Sequence, residues 1–218
     1  MTAQLIRALA DERASVRLQA AMAAGTDPDS ALLDALLDAL IDRCRVEPDF
    51  YVRDMLTWAI TRLPAAGTVP VLINELDSPI AQARSQSLHS LSKIGDHAAW
   101  PYITRDLLTD AEVEVARAAW RAAVIVVPVD ERTGLAAILA TQFGRGDTDV
   151  HRSLSRAFVE LGSAAAPVVQ AARRSSDPIV RGHAAATEQL MNDPESAFGF
   201  DVDAAKRVAA LGAAADDM

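Results

Sequence analysis

Tyr51-Val52-Arg53-Asp54-Met55-Leu56-Thr57-Trp58-Ala59-Ile60 is the stretch that decides the fold. Its apolar residues at 52, 56, 59 and 60 span about 100° of a helical wheel, which makes one buried stripe. An arginine, usually after a small or branched apolar residue and followed by a small-residue helical pattern, opens five other segments. The six are Ser15-Val16-Arg17, Tyr51-Val52-Arg53, Gln82-Ala83-Arg84, Val115-Ala116-Arg117, Val150-His151-Arg152 and Ile179-Val180-Arg181. Successive arginines stand 36, 31, 33, 35 and 29 residues apart, so the chain is an internal repeat of about 33 residues.

Between the Arg-bearing helices the pattern predicts a second helix per repeat. Three of these align on a proline, at Pro70, Pro101 and Pro167, where the first turn of a helix tolerates the missing N–H. Ser78-Pro79 and Asp177-Pro178 read as N-cap plus first-turn proline for two Arg-bearing helices. Gly25, Gly95 and Gly162 fall where such helices should end. Asp27-Pro28 opens a longer helix with Leu33, Leu36, Leu37, Leu40 and Cys44 on one side.

Composition agrees with helices packed through small side chains. Of 218 residues, 44 are Ala, five Phe and ten Gly, a balance that opposes a sheet-based fold. The 21 basic and 30 acidic residues give a net charge of −9, which opposes binding to nucleic acid or an anionic membrane. Cys44 is the single cysteine, so no internal disulfide can form. The N-terminus runs into Asp11-Glu12-Arg13 without a long apolar stretch, which is unlike a secretory signal and predicts a cytoplasmic protein.

The unit Asp177-Pro178-Ile179-Val180-Arg181 followed by Ala184-Ala185, preceded by the Pro-apolar-apolar helix of Pro167-Val168-Val169, resembles the HEAT repeat. Its nearest subtype is the short bacterial form named after phycobilisome lyases. The resemblance implies an all-α, right-handed α-solenoid of five to six helix pairs over residues 1–191. Arg-bearing helices would line its concave face, and a capping helix with an acidic tail would follow over residues 192–218. Charge supports the capping: residues 1–50 and 192–218 each carry −4, against −1 for residues 51–191. Asp203 to Leu211 reads as the terminal helix. The resemblance also implies an inter-repeat ladder of Arg–carboxylate bonds, and nearby acids pair Arg17 with Asp11, Arg53 with Asp49, Arg152 with Asp149 and Arg181 with Asp177.

Catalytic chemistry is not visible. The histidines at 89, 97, 151 and 183 include no i,i+4 pair and no His-Glu dipeptide, so no metal site is expected. His89 and His183 read as surface or lining residues, and Cys44 as a packed core thiol. Gly144-Arg145-Gly146-Asp147 reads as an inter-helix loop. The expected function is therefore non-catalytic protein–protein recognition by an adaptor, scaffold or regulatory subunit, with another protein as partner and no cofactor. The alternative is a HEAT-like DNA-repair glycosylase or a chromophore-lyase-type subunit. Against the former, no Asp lies four residues beyond Trp58, Trp100 or Trp120. The expected binding strip is Met22, Trp58 and His89, each five residues after a repeat arginine and opposite the core stripe, with Asp54 and Arg62 as a polar rim.

Overall fold

The computed structural model describes residues 2–26 and 32–193, and every described element is helical. The helices are α1 (Thr2–Leu9), α2 (Ala14–Thr26), α3 (Leu33–Val46), α4 (Phe50–Thr61), α5 (Ala65–Asn74), α6 (Ala81–Ile94), α7 (Arg105–Leu108), α8 (Val113–Val126), α9 (Arg132–Ala140), α10 (Thr148–Leu161), α11 (Ala166–Ala172) and α12 (Pro178–Asn192). The proposed capping helix and tail, and the helix start at Asp27-Pro28, lie outside the described residues. The chain forms two compact units, residues 1–139 and 140–218.

In the first unit the Arg-bearing helices α2, α4, α6 and α8 pack side by side in chain order, and α1, α3, α5 and α7 each pack on the Arg-bearing helix that follows. This is the two-layer stacking of an α-solenoid, in which no pair could bury its apolar stripe alone. Val52, Leu56, Ala59 and Ile60 are all buried, as are Ala83, Ser87, Ser90 and Leu91 in α6, and Ala116, Trp120, Ala123 and Val124 in α8. The register loosens in α2, where Val16 is half-buried and Ala23 exposed, and in the second unit, where His151 and Val159 of α10 and Val180 and Glu188 of α12 are half-buried. In the second unit α10 packs beside α12, and α11 packs on α12.

The recurring arginine has a purpose that spacing to nearby acids misses. In α2, α4, α6 and α12 its Nη1 donates back to carbonyls of the loop before its own helix, whereas in α8 Arg117 Nη1 binds Glu114. Arg17 reaches Asp11 and Glu12, at 2.9 and 2.8 Å, and Arg53 reaches Glu47 and Pro48, at 3.0 and 2.7 Å. Arg84 reaches Ser78 at 2.8 Å, and Arg181 reaches Ser175 and Ser176, each at 2.8 Å. Carbonyls left over where the preceding helix ends need donors, and a cation there also complements the helix dipole. The acids expected to pair with these arginines are mostly used otherwise. Asp49 and Asp177 cap α4 and α12 through their backbone N–H groups, and Asp11 binds Arg13. Only Arg152 and Asp149 meet as expected, at 3.6 Å on an exposed surface.

Carboxylates do bridge repeats, but over longer spans. Glu47 is fully enclosed and receives both Nε and Nη2 of Arg17, at 2.6 and 2.7 Å, together with Nε of Arg43 at 2.6 Å. Arg45 holds Glu75 in the same bidentate way, and Arg84 holds Asp110 at 3.0 Å. Burial alone would raise the Glu47 carboxyl, but hydrogen bonds from Arg17, the Asp49 amide and Arg43 hold it at about 2.

The prolines and glycines need a finer reading too. Pro167 sits in the first turn of α11, but Pro70 lies inside α5 and Pro101 inside a 3-10 turn spanning His97–Tyr102. Ser78-Pro79 precedes α6, whose N-cap is Ile80. Gly95 and Gly162 have positive φ, 72° and 61°, at their helix ends. Gly25 does not; it is needed for close approach, because a Cβ there would stand 2.4 Å from Cζ3 of Trp58.

Candidate docking face

Position on α4 separates core from surface: the stripe around Leu56 is buried, while Asp54, Trp58 and Arg62 on the far side are exposed. Met22 on α2 is 50 % exposed and Trp58 39 % exposed, whereas His89 on α6 is half-buried. Trp58 serves two ends at once, since its ring lies over Gly25 of the neighbouring repeat and still presents an edge to solvent. The row is interrupted in α8 and α10, and the matching position of α12 is the small, exposed Ala186. Ala122 and Ala157, the matching positions of α8 and α10, are buried. In α8 the buried residues run around most of the circumference, so position five after the arginine is enclosed there rather than open.

Beside the strip, α4, α6 and α8 form a groove of ≈ 280 Å³. Asp54 and His89 line it; Met22, Trp58 and Arg62 do not. Sequence reasoning missed its other lining residues, among them Phe50, Arg53, Glu114 and Arg121. Arg121 did carry a signal: the same position in earlier repeats holds Ala21, Thr57 and Leu88, all buried, so a charge there marks a change of use. Phe50 is 66 % exposed and its neighbour Tyr51 73 %, with their rings edge-to-face at 5.6 Å. The Arg53 guanidinium carbon stands 6.0 Å from the Phe50 ring centre.

The groove's charges are unevenly satisfied. Arg117 binds Glu114 at 2.9 Å, yet Arg121, one turn later, makes no ion pair or hydrogen bond among the described residues. Burial and then the neighbouring Arg117 lower the Arg121 pKa, with Glu114 opposing. Burial, then Arg121 and Lys93, likewise lower the His89 pKa against the pull of Asp54, so the imidazole is neutral at pH 7.

Elsewhere, burial pushes the Cys44 thiol up to about 12, so it is not a nucleophile at neutral pH. Among the described residues no cluster of three or more His, Cys, Asp or Glu is placed to hold a metal ion, and no helix is long and apolar enough to cross a membrane. His183, expected at a surface, is buried in the second unit. The Gly144 to Asp147 segment is a loop with two positive-φ glycines, 81° and 73°, leading to Asp147 as the cap of α10.

A chain of stacked helix pairs carrying one exposed polar–apolar face is, by class, an α-solenoid repeat protein. Residues 37–125, within the helices α3 to α8, match the family model for HEAT repeats. No curated protein matches the sequence. Among solved structures, an engineered protein is similar at 20% identity and a TM-score of 0.48, over 88% of this chain and 96% of that one. The complex of CpcE and CpcF of phycocyanin lyase from Nostoc sp. PCC7120 is similar at 21% identity and 0.48, over 88% of this chain and 77% of that one.

Proposed function

We propose that this chain is a non-catalytic protein–protein interaction module, an adaptor, scaffold or regulatory subunit of the cytoplasm, that binds its partner on the exposed face of α2, α4 and α6. The observation that carries the reading is the exposure of Met22, Phe50 and Trp58 along one face of a rigid helical row. Large apolar side chains left in water at neighbouring positions mark interaction surfaces, and tryptophan is enriched among the residues that dominate binding energy. Asp54 and Arg62 flank Trp58 and supply the polar rim such surfaces carry.

The test is affinity capture from the native host with the wild-type chain and with Trp58→Ala. A partner held by the wild type should be lost or weakened by about 2 kcal/mol in the variant, with helicity retained. Equal capture by both chains would count against this surface. Duplex DNA at low salt should show no binding; saturable binding would favour the glycosylase class instead.

A further inference from the structure

Resting on that reading, we propose that the groove across α4, α6 and α8 receives an acidic segment of the partner protein, with a carboxylate on Arg121 and an adjacent apolar side chain against Phe50. Arg121 lines the groove with its guanidinium unengaged, and the buried Nε of Arg117, one turn earlier, has no hydrogen-bond acceptor either. A planar guanidinium with free donors matches a carboxylate in a bidentate fork. The charges lining the groove are Arg53 and Arg121 against Asp54 and Glu114. Arg53 is occupied by the Glu47 and Pro48 carbonyls and Glu114 by Arg117 beside the groove, which leaves Arg121 as the lining cation with no counter-charge bound to it.

One unengaged guanidinium in a charge-balanced groove suits a single carboxylate of a short acidic peptide rather than a nucleic acid. With a Debye length of about 8 Å at physiological ionic strength, a carboxylate on Arg121 feels mainly the charges nearest to it. A duplex lying across the protein would instead meet the wider acidic surface, without the many phosphate contacts that drive such binding. Phe50 supplies the apolar contact at the groove's edge, and Ala118 keeps its α8 side open. His89 reports occupancy: a carboxylate bound on Arg121 offsets the cations that now lower the His89 pKa, and that pKa rises.

A random array of twelve-residue peptides, probed with the full chain and with Arg121→Glu, tests the inference. Bound peptides should be enriched in Asp and Glu. The enriched peptides should bind roughly tenfold more weakly to Arg121→Glu, more weakly in high salt, and should raise the His89 pKa followed by NMR. Arg121→Lys should retain part of the affinity. Absence of acidic enrichment, enrichment in Lys or Arg, or equal binding by Arg121→Glu would overturn the proposal, as would duplex DNA binding the groove in an Arg121-dependent way. The Arg121 side chain is partly covered within the groove yet reaches solvent, and an unchanged thermal melt of the variant confirms that the fold is intact. If partner capture depends on Trp58 but not on Arg121, the interaction module stands and the acidic-segment inference falls.

Discussion

Each of the two compact units is held together internally by a different kind of buried contact. In residues 1–139 the repeats are cross-linked by charge: Arg17 and Arg43 converge on enclosed Glu47, Arg45 holds Glu75, and Arg84 holds Asp110. In residues 140–193 the buried links between α10 and α12 are neutral, and the charged pair Arg173–Glu188 joins α11 to α12 nearer the surface. Phe143 stacks on Phe158 with centroids 4.8 Å apart, His151 on His183 at 4.1 Å, and the Ser155 and Thr187 hydroxyls meet at 2.7 Å. His183 accepts the Gly144 N–H at Nδ1, which leaves Nε2 to donate to the His151 carbonyl. One repeat geometry therefore tolerates either solution where the buried polar groups that form the link satisfy one another. The two differ in what breaks them.

The largest expected effect is in the charged unit. Glu47→Ala leaves two guanidinium groups at a buried site without their carboxylate and should cost about 3–5 kcal/mol in denaturant unfolding. A loss under 1 kcal/mol would mean that the cross-link contributes little and that the contrast between the units is superficial. Leu56→Ala, a core truncation at a fully buried position, should cost on the order of 2–5 kcal/mol. A near-neutral result would remove the repeat register itself.

Gly25→Ala should cost about 1–3 kcal/mol, because the added methyl collides with the Trp58 ring and with the Ala59 backbone 2.9 Å away. The same variant should shift Trp58 fluorescence toward that of a more exposed indole; an unchanged spectrum would show that the ring does not rest there.

The smallest effect, and the one that sharpens the contrast most, is the response to acid. Burial first, then the neighbouring His151, lower the His183 pKa to about 4 from 6.5. The unfolded chain therefore binds the extra proton first, so the stability from neutral His183 is complete above about pH 6.5 and is lost as pH falls toward 4. After allowance for screening this is on the order of 1 kcal/mol at about pH 5.5. Glu47 behaves as a depressed carboxyl, so its contribution is complete above about pH 4.5 and disappears only as pH falls toward 2. Between about pH 7 and 5 the amide protection factors, which divide out the intrinsic slowing of exchange in acid, should fall in α10 and α12 before α2 and α4. His183→Gln should abolish that early fall; a uniform fall in all four helices would contradict the contrast.

Much of the architecture was readable because the arginine recurs at one spacing and the core stripe follows it. The reason for the arginine was not readable, since its acceptors are backbone carbonyls and nearby acids drew attention instead. Glu47 escaped notice because its partner Arg17 lies 30 residues back, a distance that only stacking closes. For the docking face, a helical wheel was enough to place Trp58 and Met22 in solvent. It could not place Phe50 beside His89 and Arg121, because that groove needs three helices, nor foresee that α8 would bury Ala122 on the side that α2 and α4 leave open.

The central claim is that the exposed face of the Arg-bearing helices is where the partner binds. The most direct measurement places a photoreactive amino acid at Asp54, on that face, and separately at exposed Asn74 on α5, then irradiates each in a lysate of the native host. The account predicts one specific crosslinked protein from position 54, diminished by Trp58→Ala, and none from position 74. The same protein crosslinked from position 74 alone would contradict it.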